Sequence, residues 1–168
     1  MDSAVATLLV GIAGVGGTVT SGYLAQHATH RALRWERERQ QHANLRDCYV
    51  GTNSRARRCR YALADYVQAM ATNTLTDEIR ERAAAAMDAH REQYDEAQMV
   101  VSDSVLAEAR GVNDMIGILY GMLRRIDCGD AREHDSIEAA KRLLKDLWTP
   151  LKSIRDAMRS DLGVSGSD

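Results

Sequence analysis

The segment GIAGVGGT, Gly11 to Thr18, has the glycine density of a loop that wraps phosphate. A P-loop needs glycine, four residues, then glycine, lysine and a hydroxyl, because the lysine neutralises the β- and γ-phosphates. Gly11, Gly16 and Thr18 meet that spacing, but Gly17 stands where the lysine belongs. The dinucleotide fingerprint fails as well. Val19 occupies its third glycine position after Gly14 and Gly16, and no strand–helix alternation follows to build a parallel sheet. His27 and His30 are one helical turn apart, yet no carboxylate or cysteine at matching spacing completes a metal site. A di-iron bundle needs glutamate three residues before histidine; Met87 precedes His90 and Ala131 precedes His134. His90, flanked by Asp88 and Glu92, is expected to be a hydrogen-bonded core histidine.

Glu108 interrupts an apolar stripe, with Arg110 and Asp114 nearby. A carboxylate in a core either does chemistry or sets register, but one step of helix register carries Glu108 to the surface, and that is the expectation. No Ser–His–Asp, Cys–His or paired-carboxylate arrangement stands out. The chain is not expected to be an enzyme, and no cofactor, metal or small-molecule ligand is implied. Cys48, Cys59 and Cys128 form no CxxC. Three helical turns, about 16 Å, separate the first two, too far for a disulfide. They read as reduced packing residues.

The densest charged feature is Arg46, Arg55, Arg57, Arg58 and Arg60. From Arg31 to Arg60 there are nine arginines and three acids, whereas Tyr61 to the end holds 13 bases and 20 acids. The cluster is a possible contact patch, but charge runs are usually solvated faces. Residues 77 to 103 carry eight acids against three arginines, so the expectation is that the cluster pairs with that acidic stretch. Aromatic residues for base stacking are few, and nucleic acid is not an expected partner.

These residues need elements to hold them. No side chain between Asp2 and Arg31 carries a full charge. The 22 residues from Ala4 to Ala25 span about 33 Å as a helix, close to the hydrocarbon thickness of a bilayer. Residues 1–26 are therefore expected to be a transmembrane anchor. Arg31, Arg34, Arg37 and Arg39 follow it, which places the N-terminus outside and the bulk of the chain in the cytoplasm, single-pass in the cell membrane. Within the anchor, Ala13, Gly17, Ser21 and Ala25 recur every four positions, as do Gly14, Thr18 and Gly22. Small residues at that spacing let two membrane helices approach closely, so the stripe is a candidate for self-association.

Residues 27–44 read as a polar helical stalk, with Trp35 near the membrane interface. Residues 45–162 read as a helical hairpin or bundle, and 163–168 as a disordered tail. Leu45, Tyr49, Thr52, Ala56, Cys59, Leu63, Tyr66 and Met70 step by four and three, a heptad seam ending near Ala71. Thr76 or Asp77 caps the next helix. Its stripe runs from Ile79 through His90 and Val101 to Ile126 at a helical period, which predicts one helix over 77–126, kinked or restarted at Ser102-Asp103-Ser104. After a break at 127–134, Asp135 and Glu138 suggest a capping box. Ile137, Ala140, Leu144, Leu147, Leu151, Ile154 and Met158 form the last seam. Pro150 kinks this helix near Leu147, Trp148 sits in the core at the kink, and Gly163 ends the helix.

The stretches ATLLVGIAGVGGTVTSGYLAQ, EAQMVVSD (Glu96–Asp103) and AMRSDLG (Ala157–Gly163), with 19 arginines against three lysines, resemble uncharacterised small membrane-anchored helical proteins of high-GC bacteria. The resemblance implies the anchor and carries no activity. The fold expected is all-α: the anchor helix continues into a long antiparallel coiled-coil-like hairpin, with a third helix packed on it. The function expected is a membrane-anchored cytoplasmic interaction or scaffold module, homo-oligomeric or docking a protein partner. The alternative is an oligomerising membrane effector that forms pores.

Overall fold

The computed structural model describes the backbone of residues 3–164 and the side chains of residues 33–164. Among them the chain is entirely helical: α1 (Ser3–Ala71), α2 (Asp77–Gln98), α3 (Asp103–Asp127), α4 (Ile137–Asp146) and α5 (Trp148–Asp161). The expected anchor, its small-residue stripe, and His27 and His30 lie outside the described side chains. Among the described residues no helix is long and apolar enough to cross a membrane. The chain divides into two units, Met1–Ala43 and Asn44–Asp168. In the first, residues 33–43 are exposed, Leu33 and Trp35 among them.

In the second unit the heptad seam of α1 is the buried face. Tyr49, Thr52, Ala56, Cys59, Leu63 and Tyr66 are all buried. The chain reverses at Thr72–Thr76, where Asn73 takes φ 55° and Thr74 N–H reaches back to the Ala69 carbonyl at 2.8 Å, a left-handed helix ending. Thr76 caps α2 by accepting from Ile79 N–H at 3.4 Å. α2 then runs antiparallel to α1: Arg82 meets Asp65, the Arg55 guanidinium meets the Ala89 carbonyl, and Gly51 lies under Gln93.

A single helix over 77–126 does not form. α2 ends at Gln98, Met99 and Val100 turn outward, and Ser102 is extended (φ −67°, ψ 156°) at the start of α3. The reason lies in what an unbroken helix would face. Continuing the antiparallel register would lay Val105, Val112 and Leu119 along residues 25–42 of α1, which include the polar run Arg31–His42 and have no seam there. Turning back at Ser102 buries those side chains instead, with Ala109, Ile116 and Leu123. Of the expected stripe Val105, Val112, Leu119 and Met122 are buried, and Ala109, Ile116 and Leu123 complete the buried face in place of Glu108, Met115 and Ile126. Glu108 consequently leaves the core centre and is half-buried.

Two further expectations are corrected. Asp135 does not cap the last helix. Ser136 does, accepting from Ala139 N–H at 3.1 Å, while Asp135 accepts from Arg125 Nε and Nη2 at 2.6 and 2.9 Å and ties the 128–136 connection to α3. Trp148 is not a core residue: it is 42% exposed. Pro150 does interrupt the last helix. With no N–H to donate to the Asp146 carbonyl, it leaves a bend at Leu147 between α4 and α5. Gly163 ends α5 at φ 68°. The bent α4–α5 column runs antiparallel to α1, with Tyr49 hydroxyl donating to Asp161 at 2.5 Å and Arg60 stacked over Trp148. The hairpin with a third helix is therefore a bundle of four packed columns: residues 44–71 of α1, then α2, α3 and α4–α5.

Candidate functional site

Helical spacing explains how α1 presents a second face beside its buried seam. Val50, Ser54, Arg57, Arg58 and Tyr61 lie at i, i+4, i+7, i+8 and i+11, one stripe of three turns. On α5, Arg155, Met158, Arg159 and Leu162 lie at i, i+3, i+4 and i+7. The two stripes border a groove of about 460 Å³ with Tyr49 and Asn53 in its lining. Val50 and Tyr61 stand 62% and 54% exposed at its two ends. One polar atom of the lining, Asn53 Oδ1, is shielded from solvent without a hydrogen-bond partner.

A second groove, about 580 Å³, lies between α1 and α2 over Gly51, Ala85, Ala86 and Ala89, rimmed by Arg55, Arg58 and Arg82. Gly51 lets the Gln93 side chain lie close against α1. A Cβ at this position would come within 2.7 Å of Gln93 Oε1, and Gln93 is itself held by Glu96 at 3.0 Å.

The arginine cluster is not consumed by the acids of α2. Among the described residues no carboxylate lies within ion-pair distance of Arg46, Arg55, Arg57, Arg58 or Arg60. Among the described residues the one α1–α2 ion pair, Arg82–Asp65 at 3.7 Å, has the opposite polarity to that expected, with the acid on α1. α2 turns its acids outward because its inward positions are taken by Ala83, Met87, His90 and Ala97. The cluster is spread over two grooves. Arg57 borders the α1–α5 groove, Arg55 the α1–α2 groove, and Arg58 both. Arg46 is exposed and borders neither. Arg60 is stacked 3.9 Å from the Trp148 ring centroid, with Arg57 5.8 Å from the same ring; burial lowers the pKa of Arg60.

Sequence reasoning missed the contribution of α5. Arg155 and Arg159 double the positive charge along the groove that Arg57 and Arg58 begin. Their neighbouring carboxylates are engaged: Asp156 by Arg155 at 2.9 Å and Asp161 by the Tyr49 hydroxyl. Val50 and Tyr61 were findable, as two apolar residues three turns apart on a polar face of α1. The helix facing them was not, since that depends on how the bundle closes.

The remaining titratable groups serve the fold. His90 is buried on α2 as expected, but its Nε2 has no hydrogen-bond partner. Burial, with the nearby Arg91 charge, lowers its pKa to about 4. Burial raises Cys59 to about 12 and raises Cys48 too, the reverse of what a thiolate nucleophile needs. Cys128 is exposed. No cluster of His, Cys, Asp or Glu among the described residues is arranged to hold a metal. At the far end of the bundle Asp127 takes a bidentate contact from Arg80 at 2.9 and 3.0 Å and the Tyr66 hydroxyl at 2.7 Å. Arg80 first, and Tyr66 after it, hold Asp127 below the usual carboxylate range.

The chain matches no known protein-family model, no curated protein and no solved structure.

Proposed function

We propose that the chain is a protein-interaction module whose docking face is the arginine-bearing side of α1, held at the membrane by residues 1–26 with the bundle in the cytoplasm. One observation carries the reading: Arg57 and Arg58 have no acidic partner among the described residues, although 20 acids follow Tyr61 in the same chain. A charge arrangement serving stability alone would pair them, since unpaired like charges at short range repel. Two grooves open beside them. The anchor part of the proposal rests on the uncharged run Asp2–Arg31 and the arginines after it. No catalytic role is proposed.

The test is a photo-crosslinking side chain placed at Arg58 and, as a control, at Lys141 on α4, in the full-length chain in cells. Discrete adducts from position 58 and none from 141 support the module; no adduct from 58 overturns it. Deleting residues 1–26 is expected to move the chain from the membrane to the soluble fraction, and an unchanged distribution removes the anchor. Dye release from liposomes on adding the full-length chain would favour a pore-forming effector instead.

A further inference from the structure

We infer that the α1–α5 groove receives an amphipathic helix with acidic flanks from a partner protein. The inference rests on the module reading and names the chemistry of its partner. The groove is lined mostly by apolar side chains, with Asn53 and Ser54 among them, and carries arginines on both walls. Val50 and Tyr61 are 11 residues apart on α1, about 16 Å along the axis, which matches three turns of a docked helix. The buried side chains of Tyr49 and Met158 and the half-buried Leu162 lie between the two helices. A helix laying a stripe of leucine-sized residues along that floor meets Val50 at one end and Tyr61 at the other. Its flanks then meet Arg57 and Arg58 on one wall and Arg155 and Arg159 on the other.

This is the helix-in-groove mode, read by anchors one or two turns apart. Charge selects the sign of the flanks. Arg155 is paired with Asp156, and the Asp161 carboxylate is engaged by Tyr49, while Arg57, Arg58 and Arg159 have no acidic partner among the described residues; Arg159 donates to the Val164 carbonyl at 3.0 Å. Acidic side chains would supply the missing counter-charge, and planar guanidinium groups bind carboxylates in bidentate fashion. A second copy docking face to face would set arginine against arginine. A nucleic acid would satisfy the arginines but leave the apolar floor of Val50, Tyr61 and Leu162 uncovered.

The reporter is Trp148, whose ring both Arg57 and Arg60 touch. A carboxylate that draws Arg57 away from the ring changes the emission of Trp148. The full-length chain carrying Trp35→Phe, in detergent micelles, is titrated with a synthetic helix of about four turns, with leucines along one stripe and glutamates on both sides. A scrambled peptide of the same composition, which has no stripe, is the control.

The expected result is a saturable change with the striped peptide and none with the scrambled one. Arg58→Glu with Arg159→Glu, which keeps Arg57 at the Trp148 ring, is expected to weaken binding at least about tenfold, and Arg58→Gln with Arg159→Gln about threefold. Lys141→Glu on α4 should leave it unchanged. Circular dichroism confirms that each variant keeps its helices. Equal binding of the scrambled peptide, or indifference to both arginine pairs, overturns the inference. So does arginine-dependent binding of polyuridine or of vesicles containing phosphatidylserine when the striped peptide does not bind. So does self-association of the chain that the striped peptide fails to displace. If the peptide fails while position 58 still crosslinks, this inference falls and the module stands; if position 58 captures nothing, the module itself falls.

Discussion

Charge is handled in opposite ways at two places in the bundle. Near the Thr72–Thr76 turn, Asp127 is closed in by Arg80 and Tyr66, so α1, α2 and α3 meet on one carboxylate. Along the α1–α5 groove, Arg57, Arg58 and Arg159 have no carboxylate within ion-pair distance among the described residues, and Arg155 has only its neighbour Asp156. The first arrangement is built for stability, because a shielded carboxylate with three donors holds three helices in one register. The second offers folding only an exposed Arg155–Asp156 pair and the approach of Arg57 to Trp148, and like charges side by side oppose it slightly. The arginines without an acid are the ones proposed to dock a partner.

The sharpest way to break that comparison is to remove the centre of each region. Asp127→Ala leaves the Tyr66 hydroxyl without its acceptor and Arg80 with Asp77 alone, and is expected to lower unfolding stability by about 2–3 kcal/mol. A fall in the urea midpoint with unchanged slope is the readout. A loss below about 1 kcal/mol would show that the clamp is decorative.

The core between the two regions is expected to respond to acid through His90. The unfolded imidazole takes up its proton near 6.5, the folded one only near 4. Between those values the unfolded state binds more protons, so stability is intact above about 6.5 and falls as pH drops through that window. Below about 4 the loss from this one group approaches about 3 kcal/mol. His90→Leu should remove this part of the pH dependence, measured as thermal midpoints from pH 7 to 4. An unchanged profile would place the histidine in contact with water.

At the α1–α2 contact, Gly51→Ala sets a methyl group 2.7 Å from Gln93 Oε1. The atom it meets is the end of a flexible side chain, so the expected loss is about 1 kcal/mol. Gln93→Ala in the same chain should recover most of it. The smallest effect is expected where function is proposed. Arg57→Gln with Arg58→Gln should change stability by no more than about 0.5 kcal/mol. Salt should stabilise the natural chain slightly more than this variant, because screening relieves repulsion that the variant lacks. A large destabilisation would make the arginines structural and remove the contrast between the two regions.

Much of the architecture was legible in one dimension. The α1 seam from Tyr49 to Tyr66, the Thr76 cap, the Pro150 bend and the Gly163 stop each follow from a local rule that involves only nearby residues. The division of 77–126 into α2 and α3 was half legible. Ser102-Asp103-Ser104 marked the place, but no glycine or proline enforced a break there. What decides it is the partner each half would meet: the polar run Arg31–His42 offers Val105, Val112 and Leu119 nothing to bury against. The displaced cap at Ser136 has a similar cause, since Asp135 is drawn off by Arg125, ten residues earlier in the chain.

The candidate site divides the same way. Arg57 and Arg58 stood out in the sequence, and Val50 and Tyr61 were there to be found by counting turns. Two things could not be found so: that Arg155 and Arg159 complete the opposite wall, and that the acids of α2 face away. By itself the sequence determined where helices begin, end and turn an apolar side inward, because backbone capping and helical periodicity act over a few residues. Only the tertiary structure decided which side chains pair across helices and which arginines are left over. Pairing depends on distances between segments far apart in the chain, and those distances exist only once the four columns have packed.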